Sequence, residues 1–125
     1  MASLPLISVV DDDESVRESL RSFIRSVGLP VEIFASAEEF LNSDHIPSTR
    51  CLILDVRMHG MNGFELQRQL RASNREIPVI FITAHGNEAA RSQALKDGAV
   101  DYLRKPFSDQ ALLNAIDAAL SLEMT

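Results

Sequence analysis

Four places in this sequence carry side chains able to act together on a charged ligand: the run Asp11-Asp12-Asp13, the acid Asp55, the hydroxyl of Thr83 and the amine of Lys105. An aspartate after an apolar run ordinarily caps a turn or a helix, and for Asp13 that reading is preferred. Convergence changes the weighing for the others. Brought within ~4 to 5 Å of one another, Asp11, Asp12 and Asp55 would repel by about 3 to 4 kcal/mol per pair at an effective dielectric near 20. A hard divalent cation would offset that repulsion, and Mg²⁺ is satisfied by one or two carboxylates, a carbonyl and several waters.

The elements that must gather these groups are legible as alternating patterns. Short apolar runs lie at Leu6 to Val10, Val31 to Phe34, Cys51 to Leu54, Val79 to Ile82 and Tyr102 to Leu103. The first, third and fourth are nearly continuous, as expected of parallel strands covered on both faces. Pro5 sits where the first would begin. Between them Val16, Leu20, Phe23, Ile24 and Val27 fall at helical spacing, with Gly28 as a C′ residue. Ser36-Ala37-Glu38-Glu39 reads as a capping box opening a second helix, and Asn62 or Gly63 opens a third. A fourth runs roughly from Asn87 to Asp97 with a thin apolar face, and Ser108 caps a fifth. The expected fold class is α/β: a (βα)₅ doubly wound, parallel five-stranded sheet with the flavodoxin-like order 2-1-3-4-5. Such sheets bind ligands at the carboxyl ends of the strands where the order reverses, between strands one and three, which is where Asp11, Asp12 and Asp55 fall.

Composition narrows the partners. With 125 residues the chain fits one domain, 1–125, and 46% hydrophobic against 24% charged residues is an ordinary globular balance. A net charge of −6 argues against nucleic acid or anionic membrane as a direct partner of this domain. The single cysteine, Cys51, lies inside an apolar run, cannot form an internal disulfide and reads as a buried hydrophobe suited to a reducing cytoplasm. Met1 to Pro5 lack the features of a signal peptide, and no apolar stretch is long enough to span a bilayer, so the expected location is cytoplasmic.

Taken together, Val10-Asp11-Asp12-Asp13-Glu14, Leu54-Asp55-Val56-Arg57-Met58 through Gly63, Ile82-Thr83-Ala84-His85-Gly86, and Gly98-Ala99-Val100-Asp101-Tyr102 through Lys105-Pro106-Phe107 resemble the receiver domains of two-component response regulators, the FixJ-type group most closely. The resemblance covers nearly the whole chain and implies a Mg²⁺-dependent phosphorylation switch, not a conventional enzyme. It makes Asp55 the nucleophile that takes phosphoryl from the phosphohistidine of a sensor histidine kinase. It implies that Asp12, Asp55 and the backbone carbonyl of Arg57 hold Mg²⁺, with Asp11 acting through a metal-bound water. Lys105 is implied to pair with Asp55 at rest and with a phosphoryl oxygen afterwards, and Pro106 makes a cis peptide plausible there. Thr83 is implied to bind the new phosphoryl group and Tyr102 to fill the space that its loop vacates. For Thr83 the plainer reading is a strand-end hydroxyl; for Tyr102, a half-exposed edge-strand aromatic. Arg57, Ala84 and His85 fall at rim positions that set access for phosphoryl and water.

One departure stands out. The family usually carries proline four residues after the phosphoacceptor, and here that residue is His59, which frees φ and restores an N–H. His59 and His85 border the expected pocket, and two readings stand: recruitment of a softer divalent metal, or exposed loop histidines. His45 is expected to face solvent. Met58 and Met61 read as packing or kinase-facing surface.

Two rival functions are open on the residues alone. A phosphohydrolase of the haloacid-dehalogenase type also uses an aspartate and Mg²⁺; Asp11-x-Asp13 superficially matches it, with the nucleophile at Asp11. A receiver-like scaffold that binds partners without phosphorylation would have no need of all five groups. The sequence runs out soon after the fifth helix, so the domain either acts alone or precedes a C-terminal effector. The resemblance suggests a helix-turn-helix effector, through which alone DNA would be contacted, and dimerisation through the fourth helix and fifth strand.

Overall fold

The computed structural model describes residues 4–122. Met1 to Ser3 and residues 123–125, on which the reading of the two chain ends rests, lie outside the described residues. The elements alternate: β1 (Leu6–Val10), α1 (Glu14–Ser26), β2 (Val31–Phe34), α2 (Ala37–Leu41), a 3₁₀ turn (Ile46–Ser48), β3 (Thr49–Asp55), α3 (Gly63–Ala72), β4 (Val79–Thr83), α4 (Glu88–Lys96), β5 (Asp101–Arg104) and α5 (Asp109–Leu122). The five strands form one parallel sheet in the order β2-β1-β3-β4-β5, as the alternation of patterns requires.

Strand parity divides the interior into two layers. Ile7 and Val9, Cys51 and Ile53, Ile80 and Ile82 pack on Leu20 and Ile24 of α1 and on Leu112 and Ile116 of α5. The alternate residues Val10, Leu52, Leu54 and Phe81 pack on the other face with Phe40, Leu66, Leu70 and Ala94 from α2, α3 and α4. Both faces of the central strands are therefore apolar, which accounts for the unbroken hydrophobic runs. One buried polar pair interrupts them: the Ser8 and Thr49 hydroxyls lie 2.7 Å apart, and the Thr49 hydroxyl donates to the His45 carbonyl.

The helix-capping signals form as the sequence predicts, with one exchange. Asp13 caps α1, accepting from the amides of Ser15 and Val16, and Gly28 takes φ +85° beyond the helix. Asn87 caps α4 through the Ala90 amide, and the Ser108 hydroxyl accepts from the Ala111 amide at the start of α5. Ser36 accepts from the Glu39 amide, but the full capping box forms at α3, where Asn62 and Glu65 satisfy each other's backbone amides. β3 begins at Thr49 rather than Cys51, because Thr49 pairs with Leu6 across the ladder. The only fully buried residue of α4 is Ala94, in keeping with its thin apolar face.

Cys51 is wholly enclosed in the central strand, and burial pushes its thiol up to about 12. In the native protein it should resist a maleimide at pH 8 and react at the rate of a free thiol in denaturant. Native-state labelling at the free-thiol rate would contradict this packing.

Candidate functional site

The ladder hydrogen bonds run past the strand ends and set the rim. The Asp11 amide donates to the Phe34 carbonyl, Val56 to Ile82, and Lys105 to Thr83. Parity then decides which way each group faces. Asp11 continues the series of Ile7 and Val9, Asp55 that of Cys51 and Ile53, and Lys105 that of Leu103, all toward the α1 and α5 layer. Carboxylate oxygens of Asp11, Asp12 and Asp55 all lie within 4.8 Å of one another. Asp11 is fully buried, Asp55 buried and Asp12 exposed.

Each acid has different partners. Asp11 has both oxygens engaged, one accepting from the Asp13 amide at 2.9 Å and the other from Lys105 Nζ at 2.9 Å. Its backbone carbonyl accepts from Arg17 Nη1 at 2.8 Å, which ties the acidic loop to α1. Asp12 Oδ2 faces the His59 ring nitrogen Nδ1 at 3.2 Å. Asp55 Oδ1 lies 3.8 Å from Lys105 Nζ. The expected ion pair of Lys105 with Asp55 is present, and the same amine also makes the shorter hydrogen bond to Asp11. The Lys105-Pro106 peptide is cis.

On the other face Thr83 follows Phe81 in the same parity, and Tyr102 pairs with Phe81 across the ladder. The Thr83 hydroxyl accepts from the His85 amide at 3.2 Å, leaving its own proton to donate. Tyr102 is buried rather than half exposed, and its ring lies against Gly86: a Cβ there would come within 2.8 Å of Tyr102 Cε1, Tyr102 OH and Thr83 Cγ2. A cleft of about 460 Å³, lined by Arg57, Met58, Phe64, Thr83, His85 and Tyr102 among others, opens between the β3–α3 and β4–α4 loops. Arg57, Ala84 and His85 are exposed at the rim.

His45 keeps 43% of its side chain exposed, as expected of a loop histidine, with its ring tilted beside that of Phe34, centroids 6.1 Å apart. Two placements carry no sequence signal. Arg17 and Glu38 each hold a backbone group of the site loops, Glu38 accepting from the Met61 amide at 3.1 Å. No sequence motif announces either, since both are charged residues within amphipathic helices, Glu38 exposed and Arg17 half-buried. Met58 and Met61 pack against the α2–α4 layer.

The donor set suits a hard cation: it is all oxygen, and its charge is incompletely compensated, with Lys105 the single amine among the three acids.

Comparison with known proteins gives a consistent answer. Residues 7–117 match the family described as "Response regulator receiver domain". The response regulator protein TodT of Pseudomonas putida is 50% identical over 117 residues, covering 94% of this chain and 52% of its own length. The transcriptional regulatory protein FixJ of Azorhizobium caulinodans is 44% identical over 119 residues, covering 94% of this chain and 56% of its own. The crystal structure of FixJ-N superposes with a TM-score of 0.83 at 39% identity, over 97% of this chain and 96% of that one. This chain thus spans about half the length of the curated relatives it matches.

Asp55 carries the electrostatic signature of the cluster. Burial first, and then the Asp11 charge, push its carboxyl from an ordinary 3.8 up to about 7, against the opposing pull of Lys105. A carboxyl whose native pKa is raised weakens the fold when it ionises. That cost is absent below the unfolded value of 3.8, grows through the window up to about 7, and is complete above it. Asp55→Asn should therefore raise stability at pH 8 in chelator by on the order of 1–2 kcal/mol after solvent screening. At pH 4 the gain should vanish. Urea denaturation at the two pH values measures it, and an equal effect at both would contradict the assignment.

Proposed function

The chain belongs to the response regulator receiver domain family, and on that premise we propose that residues 1–125 form one phosphorylation switch that accepts a phosphoryl group on Asp55. The observation that carries this reading is the unequal engagement of the three acids. Asp11 has both oxygens committed and Asp12 faces His59, whereas Asp55 ends the central strand beside Lys105 with a near-neutral pKa. The same inequality disfavours a phosphohydrolase with its nucleophile at Asp11.

The donor is the phosphohistidine of a sensor histidine kinase. An Asp55 carboxylate oxygen attacks phosphorus, the P–N bond breaks with its electron pair returning to the imidazole, and an acyl phosphate remains. Asp12, Asp55 and the Arg57 carbonyl would hold Mg²⁺, with Asp11 acting through water, and the ion when bound would relieve the repulsion among the acids and shield the incoming oxygens. Lys105, a compact charge on a flexible stem, moves from Asp11 and Asp55 to a phosphoryl oxygen. Thr83 keeps its bond from the His85 amide and donates its hydroxyl proton to another. Arg57, Ala84 and His85 frame the approach of phosphoryl and water. Attack of water on phosphorus returns Asp55 and inorganic phosphate.

The output is carried by the α4–β5 surface. Thr83 and Tyr102 share a layer with α4, whose shallow anchorage through Ala94 suits an element that shifts. That surface controls dimerisation or a C-terminal effector in the longer protein, in the cytoplasm, with DNA contacted by the effector alone.

With Mg²⁺ and a small phosphoramidate, intact-mass analysis should find one added phosphoryl group, localised to Asp55 and absent from Asp55→Asn. Sedimentation with beryllofluoride should show a larger species; modification of Asp11, or an unchanged mass, would count against the respective parts of the proposal.

Tyr102 is the sole tyrosine and the chain has no tryptophan, so intrinsic fluorescence reports on it alone. In Gly86→Ala the new methyl would meet the ring at 2.8 Å and turn it outward. Acrylamide quenching of that emission should rise at least about twofold over wild type, and beryllofluoride-driven association should weaken. Unchanged quenching would remove Gly86 and the buried Tyr102 rotamer from the switch.

A further inference from the structure

Residues 56–62 connect β3 to α3 and carry the Arg57 carbonyl. Both ends of this loop are fixed by backbone or capping bonds: Val56 to Ile82, Gly63 to Val56, and the Asn62 amide to Glu65. Its middle has no proline to restrict it, since His59 stands at the position where the family usually has one. Two carboxylates from different elements hold that middle. Asp12 Oδ2 faces His59 through its amide at 3.4 Å and its ring at 3.2 Å. Glu38 Oε2, from α2, accepts from the Met61 amide at 3.1 Å.

The two holds are not equivalent. Asp12 belongs to the acidic cluster, so a cation competes with His59 for its oxygens. Glu38 lies outside the cluster, and its hold on the loop persists whatever Asp12 binds. Its carboxylate lies against the backbone at Gly60, where φ is +78° and a Cβ would come within 2.9 Å of Glu38 Oε2. The left-handed turn and the missing side chain are both needed for that approach. Hydrogen bonding from the Met61 amide holds the Glu38 carboxyl below its ordinary value, so it stays an ionised acceptor near neutral pH.

We propose that Glu38 is a positioning residue for the cation site: by fixing the Met61 amide it sets the β3–α3 loop, and with it the Arg57 carbonyl, in the absence of the usual proline. This rests on the Mg²⁺ reading above. Partners that orient a metal's ligands typically contribute about 10- to 100-fold in affinity, and Glu38, acting through the backbone, belongs at the lower end.

The test is Mg²⁺ titration by calorimetry of the wild type, Glu38→Ala, Glu38→Gln and Asp12→Asn, with thermal melts in chelator as the folding control. Glu38→Ala should bind Mg²⁺ about tenfold more weakly at an unchanged melting temperature. Its Met61 amide should also lose protection from hydrogen exchange. Glu38→Gln keeps an amide oxygen for Met61 and should restore affinity to within about twofold of the wild type. Equal weakening in Ala and Gln would mean that only the charge matters and would overturn the proposal, as would wild-type affinity in Glu38→Ala. If the wild type binds no Mg²⁺, or Asp12→Asn binds as well as it does, the underlying cation reading fails instead.

Discussion

The mutual repulsion of Asp11, Asp12 and Asp55 is the constraint around which the rest of the molecule is arranged. Oxygens of three acids within 4.8 Å of one another are tolerated because each meets a different compensation. Asp11 is fully enclosed yet has a lysine and a backbone amide as donors. Asp12 keeps access to water, and Asp55 holds its proton up to about neutral pH. Apart from the Asp13 amide, none of these devices is local. They require β1 beside β3 with the register that aligns Val10 with Leu54, and β5 close enough to extend a lysine across β4. The two apolar layers supply the stiffness that keeps the carboxylates from drifting apart.

Much of this was legible from residue types because the relevant signals are short in range. Continuous apolar runs gave the strands, and Asp13, Asn62, Asn87 and Ser108 marked helix starts through bonds to amides two or three residues on. The polar residue at each strand end marked the rim. What escaped depends on contacts between distant segments. Whether Lys105 reaches Asp11 or Asp55 turns on differences of about an ångström across three strands, which no spacing encodes. The same holds for the Ser8–Thr49 pair.

The capping boxes show why such signals compete. Ser36-Ala37-Glu38-Glu39 and Asn62-Gly63-Phe64-Glu65 fit the same pattern, but only the second closes in both directions. The first helix has an unusual neighbour, because Glu38 there turns outward to the β3–α3 loop. A pattern that reads as local stabilisation thus sits beside a residue with a tertiary contact. Tyr102 falls on the buried side of its two readings because Gly86 has no side chain to occupy the space of its ring.

The alternation of side chains along the strands has a broader consequence. It sends Asp11, Asp55 and the lysine toward the layer formed by α1 and α5, and the threonine and tyrosine toward the layer formed by α2, α3 and α4. On the proposed reading, the sheet works as a partition: the half that receives a phosphoryl group and the half that broadcasts its arrival share a rim but few packing contacts. Mutations that retune the choice of donor can then accumulate on one side while the listener on the other is replaced. Such a module can be coupled to new inputs and new outputs one at a time.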